Sequence, residues 1–236
     1  MTDLRRGLLV PLALLLTLAA APRPAGTVPG HAHLFDFTGF TGGPALKWLE
    51  QKGFVAKQDA ATASKVVYAI ADDALVMEAK RKALALLLSE ANISDFSRVR
   101  IEWGVEEFPA GASYEKGVRS DAAMVYVFFG DEKLSSGSLL VPNSPYFLGL
   151  FLCQSDPVGH AYQGRYFKAG GRYVCVDRAK AGETVTTDFE INDAFKRYFG
   201  QSDTPYISGL GIAIDTDGAQ GKGTAKSFIR SIEFLK

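Results

Sequence analysis

Two carboxylates leave the end of a strand-like run in GIAIDTDGAQGKG, residues 211–223, where Asp215 and Asp217 precede Gly218. Acidic oxygens gathered at a strand end can hold a hard cation such as calcium, or accept amide hydrogen bonds in a tight turn. An EF-hand is excluded. With Asp215 as the first loop position, Ala219 is fifth, Gln220 sixth and Lys226 twelfth, where Asp or Asn, Gly and Glu belong. A looser calcium loop on Asp215 and Asp217 and a plain turn both remain open.

Glu102 and Glu106 share one face of an alternating run, but four residues at about 3.3 Å each set them about 13 Å apart. Glycoside hydrolysis needs about 5 Å or about 6.5–9.5 Å, so this pair alone fails and a solvated strand face accounts for it. His31, His33 and His160 are the only histidines. His31 and His33 could chelate a metal or lie in a mobile N-terminus. No Gly-x-Ser-x-Gly elbow is present, and GAQGKGTAK lacks the Walker spacing, so serine hydrolysis and phosphate cradling are both disfavoured.

Sugars are held by stacking on flat rings plus a few polar groups, and HAYQGRYF supplies Tyr162, Arg165 and Tyr166, with Asp156 upstream. These four form a candidate ligand rim; the alternative is that the rings cap the end of the fold. Arg119 and Asp121 can pair with each other or hold a loop. Cys153 and Cys175 each sit in an apolar strand-like run, and form either a disulfide or two buried thiols.

The elements that must position these groups are strands. HLFDFTGF alternates, and VRIEWGVEEF puts Val99, Ile101, Trp103 and Val105 on one face, the signature of a strand with one wet side. AAMVYVFFG is apolar on both faces, as a covered central strand is. SPYFLGLFLC, GRYFK and RYVCVD read as further strands, the last two joined at Ala169-Gly170-Gly171. ISGLGIAID and KSFIRSIEFLK close the chain. GGPALKWLEQKGF predicts a short helix between Pro44 and Gly53. INDAFKRYFG predicts another, with Asn192 or Asp193 as N-cap and Gly200 as its stop. Residues 74–91 are ambiguous, since ALVMEAKRKALALLLSEA has helical spacing and composition, while KVVYAIADDALVMEAK reads as two strands around Asp72-Asp73.

The N-terminus sets location. Arg5 and Arg6 precede 15 uncharged residues, Gly7 to Ala21, and then small residues and prolines. That run falls short of the roughly 20 residues of a membrane span and contains Pro11, so residues 1–26 read as a cleaved signal peptide. The remaining chain, 27–236, is expected to be one domain, exported to the periplasm or beyond, with no later membrane span. It carries 23 basic and 25 acidic residues, a net charge of about −2, which excludes the basic footprint of a nucleic-acid partner.

The order of VYAIADDALVMEA, VRIEWGVEEF, RSDAAMVYVFF, DAFKRYFG and GIAIDTDGAQGKGTAKSFIRSIEF resembles the bacterial family catalogued as domain of unknown function 3047, over roughly residues 33–236. Glu102-Trp103-Gly104-Val105 stands where that family tends to carry two tryptophans, and Ser120-Asp121 where it tends to carry two adjacent acids. The resemblance implies an exported β-jelly roll of the kind found in carbohydrate-binding modules, assigns no reaction, and favours strands over residues 74–91. The expected fold is therefore all-β: a two-sheet, jelly-roll-like sandwich with one or two short helices. The expected function is non-catalytic binding of carbohydrate or envelope glycan, with calcium as the one candidate cofactor. The alternatives are an envelope structural or adaptor protein that binds another protein, and a glycan hydrolase or lyase.

Overall fold

The computed structural model describes residues 31–236, so the expected signal peptide lies outside the described residues. Thirteen strands and two helices build a two-sheet sandwich of the jelly-roll kind. One sheet runs β11 (Thr184–Phe189), β6 (Arg98–Glu107), β13 (Ala225–Leu235), β4 (Ala74–Ala79), β3 (Val66–Ala71), with β1 (His31–Asp36) also paired to β13. The other runs β2 (Val55–Gln58), β5 (Leu84–Ile93), β12 (Ile207–Asp215), β7 (Asp121–Leu134), β8 (Ser144–Cys153), β10 (Gly171–Arg178), β9 (Ala161–Tyr162). The core between them takes Val99, Ile101 and Trp103 from the first sheet and Val125, Val127, Leu150 and Ile212 from the second, all fully buried.

Residues 74–91 show tertiary pairing overriding helical propensity. Asp72 and Asp73 both adopt positive φ, 50° and 55°, the backbone of a two-residue hairpin turn, and Ala71 pairs directly with Ala74 across it. Beyond the turn, Leu75, Met77 and Ala79 are buried, as are Ala83, Ala85 and Leu87, while Leu84, Leu86 and Leu88 are only half-buried. That is period two, so the helix-like spacing is a by-product of leucine and alanine on both faces of a strand.

Three expectations need correction. GRYFK is not a strand: β9 is only Ala161–Tyr162, and residues 163–170 form bends and a turn. Strand β10 instead pairs in parallel with β8 and antiparallel with β9 through Tyr173 and Tyr162. Helix α2 (Ile191–Phe199) has Glu190 as its N-cap, not Asn192 or Asp193, because Asn192 is used elsewhere: its Nδ2 donates to the Phe96 carbonyl at 2.7 Å. Gly200 ends α2 in the left-handed conformation as expected. Finally, His33 is part of a strand paired to β13 and not of a mobile terminus, its ring 4.5 Å from Phe35.

Helix α1 (Ala45–Gln51) carries Trp48 as anticipated. No helix among the described residues is long and apolar enough to cross a membrane. Helix α2 packs Phe195 against Phe129 and Tyr146, with ring centroids 4.7 and 5.5 Å apart, which turns Arg197 and Tyr198 toward the end of the sandwich where β9 and β10 lie.

Candidate functional site

Cys153 at the end of β8 and Cys175 in β10 form a disulfide, with Cα atoms 5.7 Å apart. The parallel pairing of the two strands brings them together, which settles the choice left open between a bond and free thiols. The bond closes a span of 22 residues that contains Asp156, His160, Tyr162 and Gln163. A loop rich in bends is thereby pinned at both ends.

Asp156 is buried beneath this loop, 3% exposed. Its Oδ1 accepts from Ser113 Oγ at 2.6 Å and its Oδ2 from the Tyr114 amide at 2.8 Å, so both oxygens are committed to the segment between β6 and β7. Ser113 and Val118 exchange backbone hydrogen bonds, making a small hairpin with Glu115 at its tip. Glu115 Oε2 accepts the Tyr162 hydroxyl at 2.9 Å, a second tie between the hairpin and β9. Asp156 is thus a tie between two loops and does not stand on the rim.

Tyr162 lines an open basin of about 690 Å³ together with Arg119, His160, Arg172, Arg197 and Tyr198. The His160 and Tyr162 rings are 4.6 Å apart. Tyr198 donates its hydroxyl to the Gly159 carbonyl at 3.0 Å, joining α2 to the loop. Gly164 lets the turn pass close above β10, since a Cβ there would lie 2.8 Å from the Tyr173 ring. Of the four residues expected on the rim, only Tyr162 lines the basin. Arg165 stacks on Tyr166 at 5.4 Å on the turn just beyond it.

Arg119 and Asp121 do not pair. Arg119 is exposed and lines the basin, while Asp121 is buried at the start of β7, accepting the Tyr114 hydroxyl at 3.0 Å. Asp121 Oδ1 has no hydrogen-bond partner. The register of β12 on β7 sets Asp215 directly beside it. Burial, and then the charge of Asp215, push the Asp121 carboxyl well above the usual carboxylate range, against the Tyr114 hydrogen bond. Burial likewise raises Asp215 to about 6. Tyr126 and Tyr173 lie over the same region, and burial raises both phenols, Tyr173 to about 12. Two adjacent carboxyls shielded from water do not both ionise cheaply, so the pair resists losing its second proton.

The stretch at Asp215 and Asp217, for which the sequence leaves both a looser calcium loop and a plain turn open, carries the hydrogen bonds of a turn. Asp215 Oδ1 accepts the Asp217 amide at 3.0 Å, Asp217 is exposed, and the Ala219 amide donates to the Thr216 carbonyl. Among the described residues no group of three or more His, Cys, Asp or Glu side chains is placed to hold a metal ion. Glu102 and Glu106 face Arg230 and Lys226 at 3.5 and 2.6 Å, as residues of a wet strand face do.

Sequence reading missed the contributions of Arg172, Arg197 and Tyr198. The helical stretch INDAFKRYF announces that Arg197 and Tyr198 follow a buried Phe195, but not which end of the sandwich α2 covers.

No family model matches the chain, and no curated protein matches it either. Among solved structures, the low-affinity xylan-binding module CBM86 from Roseburia intestinalis is 11% identical with a TM-score of 0.32, over 78% of this chain and 96% of that one. A major endo-1,4-β-xylanase from Trichoderma reesei is 6% identical with a TM-score of 0.34, over 75% of this chain and 96% of that one. At TM-scores this low, neither neighbour says anything of what this chain binds.

Proposed function

We propose that the protein is an exported, non-catalytic module that binds carbohydrate in the basin at Tyr162, and that it belongs with the exported jelly rolls of domain of unknown function 3047. The observation that carries the ligand class is the basin itself. Tyr162 and Tyr198 line the basin, Tyr198 with the Arg197 guanidinium over one ring face, and supply aromatic surface for apolar sugar faces, while the guanidinium and amide donors of Arg119, Arg172 and Gln163 stand beside them for hydroxyls. The loop is held by a disulfide, two hydrogen bonds to Asp156 and one to Glu115, so it is organised before a ligand arrives. A structural disulfide and the leader-like first 26 residues both support an oxidising compartment outside the cytosol.

Affinity electrophoresis against a panel of neutral and acidic polysaccharides tests this reading. Retardation by at least one glycan, lost in Tyr162→Ala and in Tyr198→Ala, is the expected result. Retardation that survives both substitutions places the ligand elsewhere, and no retardation by any glycan removes the carbohydrate reading.

A second reading, a glycan lyase, is favoured by the convergence of His160, Tyr162 and three arginines. An arginine can neutralise a uronate carboxylate while a neighbouring side chain takes the adjacent carbon-bound proton. The Tyr162 hydroxyl already donates to Glu115, and burial with that bond raises the phenol, so the phenolate a lyase needs is scarce and binding without turnover is the better reading. Unsaturated sugar ends released from a uronate polymer would reverse that order.

A further inference from the structure

We propose that the glycan is acidic, a chain bearing uronate carboxylates engaged by Arg119, Arg172 and Arg197; this rests on the carbohydrate reading above and narrows it. Three guanidinium groups enter one basin from three different places: Arg119 just before β7, Arg172 on β10 and Arg197 on α2. No acidic residue lines the basin with them. The ion pairs among the described residues, such as Arg100 with Asp188 and Arg230 with Glu102, lie elsewhere, and none includes these three arginines.

The contacts of Arg172 and Arg197 orient those two side chains without neutralising them. Arg172 donates through Nη1 to the carbonyls of Lys168 and Gly171 at 2.9 and 2.8 Å and through Nη2 to that of Tyr198 at 3.3 Å, and lies over the Phe199 ring. Arg197 lies over the Tyr198 ring at 4.6 Å and donates to its hydroxyl at 2.7 Å. Arg119 makes no hydrogen bond or ion pair among the described residues.

The nearest carboxyls stand outside the basin lining. Glu115 accepts the Tyr162 hydroxyl, and Asp121 is buried beneath Tyr114, where burial raises its carboxyl well above the usual range. A chain with 26 basic and 26 acidic residues thus gathers three guanidinium groups without an ion-pair partner among the described residues where it also presents two tyrosine rings. Planar guanidinium forks match planar carboxylates, and rings beside them match the sugar that carries the carboxylate, whereas a bare oxyanion would leave the rings unused.

A chemically matched pair of ligands separates the charge from the sugar. Isothermal titration of the purified protein with polygalacturonate and with its fully methyl-esterified form, which has the same backbone without the charge, is the experiment. Dextran sulfate and inorganic phosphate serve as the other two probes. The expected result is binding of polygalacturonate that weakens as salt rises, and that falls about tenfold or more on methyl esterification and in Arg119→Ala. Arg119 is exposed, so that variant should keep the wild-type melting temperature.

Equal binding of the methyl ester overturns the acidic assignment and leaves the carbohydrate reading standing. Dextran sulfate or phosphate binding as tightly as polygalacturonate reduces the basin to a general anion site and overturns the uronate. Binding of none of these probes, nor of any glycan in the neutral and acidic panel, overturns both readings together.

Discussion

Asp121 opens β7 and Asp215 closes β12, and the antiparallel register makes them direct partners, so two carboxyls lie side by side at one end of the seven-stranded sheet. The hairpin that carries Tyr114 covers Asp121, while Asp215 is half-buried beside it, and neither residue lines the basin. Burial makes the pair an element of stability with a definite pH signature.

Burial raises Asp215 to about 6 and Asp121 well above the carboxylate range, whereas both groups titrate near 4 in an unfolded chain. Above pH 4 the folded state therefore holds protons that the unfolded state has released. Stability contributed by the pair is full below about pH 4 and falls as pH rises; the Asp215 share is lost through about 6, and the Asp121 share goes on falling while that carboxyl remains protonated. At about 1.4 kcal/mol per pKa unit, Asp215 alone costs on the order of 2–3 kcal/mol at neutral pH. Asp215→Asn and Asp121→Asn should each raise the melting temperature at pH 7 and change it little near pH 4. Urea melts across this range check it; an asparagine variant less stable than wild type at pH 7 would show that the carboxylate charge is needed.

The same geometry governs the response to calcium. Asp215 Oδ1 is occupied by the Asp217 amide, so chelators and calcium should leave the melting temperature unchanged. A native-state ligand at about 100 times its Kd would add about 2.7 kcal/mol, a shift that thermal unfolding resolves easily. A rise with calcium that disappears in Asp217→Ala would make the loop a cation site after all.

How much of this the sequence disclosed depends on the range of the interaction. The strands at 98–107, 121–134 and 207–215 were legible because their burial alternates or runs unbroken within a few residues. The hairpin at Asp72-Asp73 was only half legible: the turn residues are local, but the leucine- and alanine-rich run after them fits helical spacing as well as a strand. The disulfide, the Asp121 and Asp215 pairing, and the meeting of Arg119 with Arg197 depend on which strands neighbour each other, and no spacing encodes that. Asp156 misled for a related reason: a carboxylate in a loop reads as exposed, and only the Ser113 hairpin folding over it shows otherwise.

The disulfide closes a 22-residue loop, which in the chain-entropy account stabilises the fold by about 3 kcal/mol. Replacing both Cys153 and Cys175 by alanine should lower the melting temperature by about 6–12 °C. Glycan affinity should fall with it, because the loop carrying His160 and Tyr162 loses an anchor. An unchanged melting temperature in the double variant, or in wild type under reductant, would show that strand pairing alone holds the loop.

Asp156 tests positioning against contact. It touches no basin space, yet Asp156→Ala strands the Ser113 hydroxyl and the Tyr114 amide, a loss of about 1–3 kcal/mol for each buried group left unpaired. Stability and glycan affinity should both drop, and Asp156→Asn, which keeps one acceptor oxygen, should recover part of each. If Asp156→Ala weakens binding at full stability, the carboxylate meets the ligand directly and belongs on the rim.

Tyr162 separates stacking from tethering, because its ring and its hydroxyl do different work. The hydroxyl is bound to Glu115 and the ring lines the basin beside His160. Tyr162→Phe removes only the tether, a partly exposed charge-assisted bond, so it should cost about 1 kcal/mol of stability and leave glycan affinity within about threefold of wild type. Tyr162→Ala removes the ring and should abolish measurable binding, since a stacking face is not replaced by water. Equal loss of affinity in both variants would mean that the hydroxyl, released from Glu115, is what the ligand recognises.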